Sequence, residues 1–235
     1  MRREVIKKLC SILMGCLVLT ASFFVGEGAA RLTAGGNVQV AAPGKCVVID
    51  AGHGGSDPGK VGINGALEKD VNLEIVRLLK VYLEAEGVEV VLTREGEEGL
   101  YDADASNKKV QDMKRRVEII EEYAPELVVS IHQNSYPEEY VHGAQVFYYD
   151  GSVEGKALAG ILQEQLTDKV DPENTRQIKA NDSYYLLKKT SVPIVIVECG
   201  FLSNQAEARK LCDKDYQMDL AWAIHMGVMK YLHRN

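Results

Sequence analysis

Positive charge is what this chain is short of. It carries 27 Lys and Arg against 34 Asp and Glu, a formal net charge of −7. No basic block stands out beyond the first residues. Nucleic-acid binding rests on a basic face, so nucleic acid is not expected as the main partner. Cysteine is too sparse and too scattered for a disulfide framework. Of the five, Cys10 and Cys16 fall in an N-terminal apolar segment. Cys46, Cys199 and Cys212 remain, an odd number at wide spacing. Cys46 and Cys199 sit in apolar runs, where a free thiol behaves as a small hydrophobe. No structural disulfide is expected. There is no internal repeat. The acidic cluster Glu95, Glu97, Glu98, Asp102 and Asp104 lacks the spacing of an EF-hand loop and reads as solvated loop.

What is there is a globular composition, 46% hydrophobic over 235 residues, enough for one domain and a short extra segment. Residues 1–30 read as an export segment. Arg2, Arg3, Lys7 and Lys8 form a positive start, Leu9 to Val25 is an uncharged apolar run, and Gly26, Gly28, Ala29 and Ala30 follow. The run is at the short end for a bilayer span, so a cleaved signal and a retained membrane anchor both remain open. Either one implies export across the cytoplasmic membrane. Residues 31–44 are small and polar and read as a linker. A catalytic domain is expected over 45–235.

Within that domain strands alternate with helices. Strands are expected at Cys46–Asp50, Val88–Thr93, Leu127–Ile131, Ala144–Tyr149 and Ile194–Val197. Helices are expected at Glu68–Glu86, ended by Gly87, and at Val110–Tyr123, Val153–Val170, Gln205–Cys212 and Tyr216–Leu232. Arg94–Lys109 reads as an exposed excursion and Asp171–Asp182 as polar loop. Tyr184–Leu187 is a short apolar element of open type. This alternation predicts an α/β fold, a single layered domain with a mostly parallel twisted sheet and helices on both faces.

Three apolar strands run into chemistry-bearing residues. Val47-Val48-Ile49-Asp50 leads into Ala51-Gly52-His53-Gly54-Gly55. Leu127 to Ile131 leads to His132-Gln133-Asn134. Ile194 to Val197 leads to Glu198. In an open α/β sheet such strand ends line one crevice. His53, His132 and one carboxylate could hold a catalytic zinc ion with an open position for water. The residues alone do not choose that carboxylate. Glu68 opens a helix, where the dipole favours an acid by about 0.3–1 kcal/mol, and Asp70 competes with it. Glu198, behind four apolar residues, is costly to bury unless it is paired or metal-linked. It could be a ligand or a general base. Asn134 could orient a substrate carbonyl or cap its own turn. His142, His225 and His233 look incidental, with His142 at most on a rim. The same residues would also suit another zinc amidohydrolase, a peptidase or a polysaccharide deacetylase.

Four ordered motifs narrow this. Val48-Ile49-Asp50-Ala51-Gly52-His53-Gly54-Gly55, Leu67-Glu68-Lys69-Asp70, Ser130-Ile131-His132-Gln133-Asn134 and Val197-Glu198-Cys199-Gly200-Phe201-Leu202-Ser203-Asn204 together resemble the zinc-dependent N-acetylmuramoyl-L-alanine amidases of the Amidase_3 type. The resemblance runs from about Lys45 to Leu232. It implies His53, Glu68 and His132 as Zn2+ ligands and Glu198 as the catalytic glutamate. It gives Arg116 a counterpart in the helix before the third strand, with a structural role. Glu173-Asn174-Thr175-Arg176 and Tyr184-Tyr185-Leu186-Leu187-Lys188 resemble the sporulation branch. That branch implies a peptidoglycan substrate in the spore cortex and a step towards muramic-δ-lactam. It further implies a partner muramic deacetylase. With no appended wall-binding module in the sequence, targeting by an accessory protein or by membrane tethering is expected. Cys199 departs from the valine more usual there.

Overall fold

The computed structural model describes residues 44–234. The export segment at 1–30 and all but Gly44 of the linker at 31–44 lie outside the described residues. Among those described, no helix is long and apolar enough to cross a membrane.

Six strands form one sheet: β1 (Cys46–Ala51), β2 (Glu89–Leu92), β3 (Leu127–Asn134), β4 (Gln145–Tyr149), β5 (Lys179–Asn181) and β6 (Ile194–Phe201), in the order β2-β1-β3-β6-β4-β5. All neighbours are parallel except the antiparallel β4–β6 pair. Helices cover both faces, which is why β1, β3 and β6 read as continuous apolar runs rather than alternating ones. On one face Val47, Ile49, Val129, Ile131, Val195, Val197 and Cys199 belong to the larger core. Packed there are α1 (Glu68–Ala85), α3 (Val153–Lys169) and α6 (Lys214–Leu232). On the other face Val48, Val128, Phe147, Ile194 and Ile196 form a smaller core. It lies under α2 (Lys108–Tyr123) and the short α4 (Tyr185–Lys189). The seven-residue α5 (Gln205–Leu211) follows β6.

Local signals set the boundaries. The buried stripe Val71, Ile75, Leu79 and Leu83 recurs at helical spacing in α1, and Gly87 ends it at φ 78°. Side-chain oxygens of Asn107, Ser152, Asn204 and Asp213 accept the first free amides of α2, α3, α5 and α6. Ala124, left-handed at φ 41°, closes α2 before Pro125.

The structure departs from the sequence expectations in four places. β3 and β6 continue beyond their apolar runs to Asn134 and Phe201, because each is paired on both sides and its ladder does not stop where hydrophobicity does. His132 and Glu198 therefore lie inside strands, not just after them. The loop expected at 171–182 contains β5, a three-residue edge strand with no buried residue to mark it. Tyr184–Leu187 resolves as the start of α4. The acidic excursion is only partly solvated. Gly55 N–H donates to Glu97 O at 2.7 Å, and Ser56 N–H donates to the Tyr101 hydroxyl at 2.5 Å.

One charged pair is enclosed by the fold. Asp50 is fully buried and Arg116 is 1% exposed. Arg116 Nη1 donates to Asp50 Oδ1 at 2.5 Å, Thr93 Oγ1 donates to the same oxygen at 2.7 Å, and Ser130 Oγ donates to Oδ2 at 2.5 Å. Burial alone would raise the Asp50 pKa, but the Arg116 charge and the two hydroxyls pull it down to about 2. Removing one partner of such a pair strands the other charge. Asp50→Ala should lower the unfolding free energy by about 3–5 kcal/mol in urea titrations at neutral pH. Because the folded value lies below the unfolded one, the ionised Asp50 stabilises the fold above about pH 4. That increment should vanish as pH falls from there through about 2, and Asp50→Ala should show a flatter acid limb.

Candidate metal and catalytic site

The site begins at the end of β1, where the chain turns through Gly52 and His53. His53 sits at φ 63°, a left-handed conformation uncommon for a residue with a side chain. Two arginines hold the turn by its carbonyls. Arg94 Nε donates to Ala51 O at 3.0 Å and His53 O at 2.8 Å, and its Nη2 to Gly52 O at 3.2 Å. Arg116 donates to Ala51 O at 2.7 Å and to His53 O at 2.6 Å. Asp57 then fixes the imidazole: its Oδ2 lies 3.0 Å from His53 Nδ1. With the proton on Nδ1, Nε2 keeps its lone pair, and it points at Glu68 Oε1, 3.1 Å away.

Glu68 is the first residue of α1 and is 2% exposed. It stands on the same stripe as Val71, Asn72 and Ile75, whereas Asp70 faces solvent. Oε1 lies 3.0 Å from His132 Nδ1 and accepts from Gln133 N–H at 3.1 Å, while Oε2 accepts from Lys60 N–H at 2.7 Å. Burial pushes its pKa up, but the bonds to His132 and His53 outweigh that and hold it well below the usual carboxylate range. In return, Glu68 raises His132 against the lowering effect of burial.

Ligand atoms of His53, Glu68 and His132 all lie within 4.8 Å of one another. A tetrahedral ion with bonds near 2.0–2.1 Å has ligand-to-ligand edges of about 3.3 Å. The N–O separations of 3.0 and 3.1 Å are close to that. Two imidazoles and a carboxylate are donors that suit zinc in an open catalytic site. Asp57 behind His53 is the kind of outer partner that orients a metal-binding imidazole.

Glu198 pairs with His132 across the β3–β6 ladder. Burial lifts its pKa to about 7, opposed by His132. Its Oε2 is buried and finds no hydrogen-bond partner among the described residues. An orphan carboxylate oxygen beside a histidine is costly in a resting fold and suits an arriving proton donor. Cys199 points to the opposite face and packs in the larger core, so a small side chain there leaves the site undisturbed.

These residues line a cavity of about 740 Å³ that also reaches Asn134, Tyr184 and Lys108. Asn134 Oδ1 accepts from Ser135 N–H at 2.8 Å. The turn-capping role is thus realised by the oxygen, and the NH2 group is left for the cavity. The remaining histidines lie elsewhere. His142 lines neither this cavity nor its neighbour. His225 is buried beside Tyr82 and Trp222, and His233 Nδ1 meets Met229 O at the end of α6. Sequence reasoning missed Arg94 and Asp57. The histidine-to-aspartate spacing was the only clue to Asp57, and it lies in a loop where spacing does not fix direction.

Gly52 is required by close approach. A Cβ there would stand 2.3 Å from His132 Cε1. Gly52→Ala should displace that ring and lower stability by about 1–3 kcal/mol, the usual range for overpacking, read by denaturant unfolding.

Comparison with known proteins agrees with this geometry. Residues 47–230 match the Amidase_3 family model, described as N-acetylmuramoyl-L-alanine amidase. The germination-specific N-acetylmuramoyl-L-alanine amidase of Bacillus subtilis is 37% identical over 191 residues, covering 80% of each chain. The CwlD amidase of Clostridioides difficile, solved in complex with the GerS lipoprotein, is 41% identical with a TM-score of 0.78; the match covers 80% of this chain and 98% of that one. The amidase AmiC2 of Nostoc punctiforme is 36% identical with a TM-score of 0.71, over 82% of this chain and all of that one. The chain belongs to the Amidase_3 family of N-acetylmuramoyl-L-alanine amidases and is a hydrolase.

Proposed function

We propose that the protein cleaves the amide between the lactyl carbonyl of muramic acid and L-alanine in peptidoglycan, with Glu198 moving the proton beside a zinc site formed by His53, Glu68 and His132. The observation that carries this reading is the unpaired, buried Glu198 oxygen next to a convergent imidazole–carboxylate set. Zinc held there would supply a Lewis acid that polarises the scissile carbonyl and acidifies water.

The chain's own residues do the rest. Asn134 offers its NH2 group to a substrate carbonyl. Glu198, poised near neutrality, accepts a proton from the attacking water as the C–O bond forms. It returns that proton to the L-alanine nitrogen as the C–N bond breaks. The products are a free lactyl carboxylate on the glycan and a peptide with a free amine. Asp57 keeps His53 in the tautomer that presents Nε2, and Arg94 and Arg116 keep the His53 turn from relaxing.

The domain at 45–235 carries this activity in our reading, and residues 1–30 take it across the cytoplasmic membrane to the wall. Retention of that segment would add a membrane attachment. The similarity to a germination-specific enzyme supports a role in spore cortex, where muramic acid freed of peptide is the substrate a deacetylase needs on the way to muramic-δ-lactam. The GerS complex of the Clostridioides difficile relative supports an accessory protein for this chain as well.

Metal analysis should find one zinc per chain, and mass spectrometry of digested peptidoglycan should find lactyl carboxylates together with released peptides beginning in L-alanine. Glu198→Gln should keep the zinc and the fold but lose turnover by about 10²–10⁴-fold; normal hydrolysis by that variant would end the general-base assignment. Asp57→Ala should weaken zinc binding by about 10–100-fold in chelator competition.

A further inference from the structure

A second cavity, of about 550 Å³, adjoins the catalytic one and shares Asn134 and Tyr184 with it. Its lining is unusual for a protein of net charge −7. It holds Arg176 and Lys179 with neutral amides and aromatics, and none of the described residues lining it is an aspartate or glutamate. The catalytic cavity differs. There, Asp50, Asp57, Glu68, Asp112 and Glu198 share the lining with the cations; Lys109 stands 3.6 Å from Asp57 and Arg116 is paired with Asp50 and Asp112.

Arg176 is held in place before any ligand arrives. Nε donates to His142 O at 2.6 Å, Nη1 to Gln145 Oε1 at 3.3 Å, and the guanidinium lies over the Phe201 ring at 4.5 Å. Nη2 has no hydrogen-bond partner among the described residues. Lys179, on the edge strand β5, is exposed, and its ammonium lies 5.8 Å from the Phe147 ring centre. Phe201 and Glu198 belong to the same strand, Glu198 lining the catalytic cavity and Phe201 the second one. Tyr136 and Tyr140, 52% and 77% exposed, complete the outer wall.

The two halves of the proposed substrate differ in charge. Once its lactyl carboxyl is tied up in the amide, the muramic side is neutral, whereas any peptide leaving from L-alanine ends in a carboxylate. We propose that this second groove is the subsite for the peptide half, with Arg176 Nη2 and Lys179 Nζ receiving a peptide carboxylate. This inference rests on the amidase reading for the identity of its ligand. Catalysis would then depend on a charge several bonds from the scissile amide, with Asn134 and Tyr184 at the junction.

The test compares an N-acetylmuramoyl-L-alanyl peptide bearing free carboxylates with the same compound amidated throughout. The zinc-loaded wild-type protein should favour the free form by about fivefold in kcat/KM, the upper end for an exposed charge pair. The difference should fall in KM. Lys179→Gln should reduce the ratio, Lys179→Arg should restore it, and Lys179→Glu should invert it. Equal rates on both substrates, unchanged by Lys179→Glu, would overturn the proposal. Calorimetric binding of the released peptide, free against amidated, tests the groove without turnover. Lys179-dependent binding with no cleavage of either substrate would leave the groove standing and remove the amidase reading. Cleavage of both substrates with no charge preference in binding would do the reverse.

Discussion

The site depends on two buried guanidinium groups. At the end of β1 the carbonyls of Ala51, Gly52 and His53 turn to side-chain donors, which Arg94 and Arg116 supply together. Two cations so near one another repel. Burial, and then the charge of Arg116, lower the Arg94 pKa to about 10. Asp50 and Asp112 both pair with Arg116 and their charges partly offset the lowering at Arg94, and burying all four charges is tolerable only because nearly every donor and acceptor is matched. The result is a histidine held in an uncommon backbone conformation by a rigid polar frame.

The second constraint is parallel pairing. β1, β3 and β6 lie side by side with the same direction, so their carboxyl ends open onto one edge. Register then aligns His132 with Glu198. Alternation along each strand sorts the side chains: Asp50, Ser130, His132 and Glu198 go to the α2 side, while Val129, Ile131, Val197 and Cys199 go to the large core. The catalytic face and the stabilising face are thus one residue apart along every central strand. Asn134 then meets Phe201 after a register shift, which lets Glu198 and the cation over Phe201 serve adjoining cavities.

Much of this was legible in the amino-acid sequence, and the failures have physical causes. His53, His132 and Glu198 stood out because apolar strands led to them, and such strands converge in an open sheet. Glu68 was not separable from Asp70 on its residue type, yet its phase was available: it stands three before Val71 and seven before Ile75, on the stripe that α1 buries. Arg116 was noted but its contacts were not, and Arg94 looked like the start of a solvated loop. Arg116 falls in phase with the buried Asp112 and Ile120 of α2, but a charged residue at such a position reads as solvent-facing, because the backbone carbonyls that solvate it are not displayed in sequence. β5 escaped for a related reason. Three residues on an edge, none buried, leave no hydrophobic trace.

The sheet ends on β2 and β5, strands of four and three residues. So little exposed ladder gives another chain almost nothing to extend. Molecules of this protein packed closely at a surface would therefore resist stacking edge to edge into fibrous aggregates. Recruitment to such a surface would have to work through side chains, whose chemistry can discriminate, and not through the indiscriminate adhesiveness of open backbone.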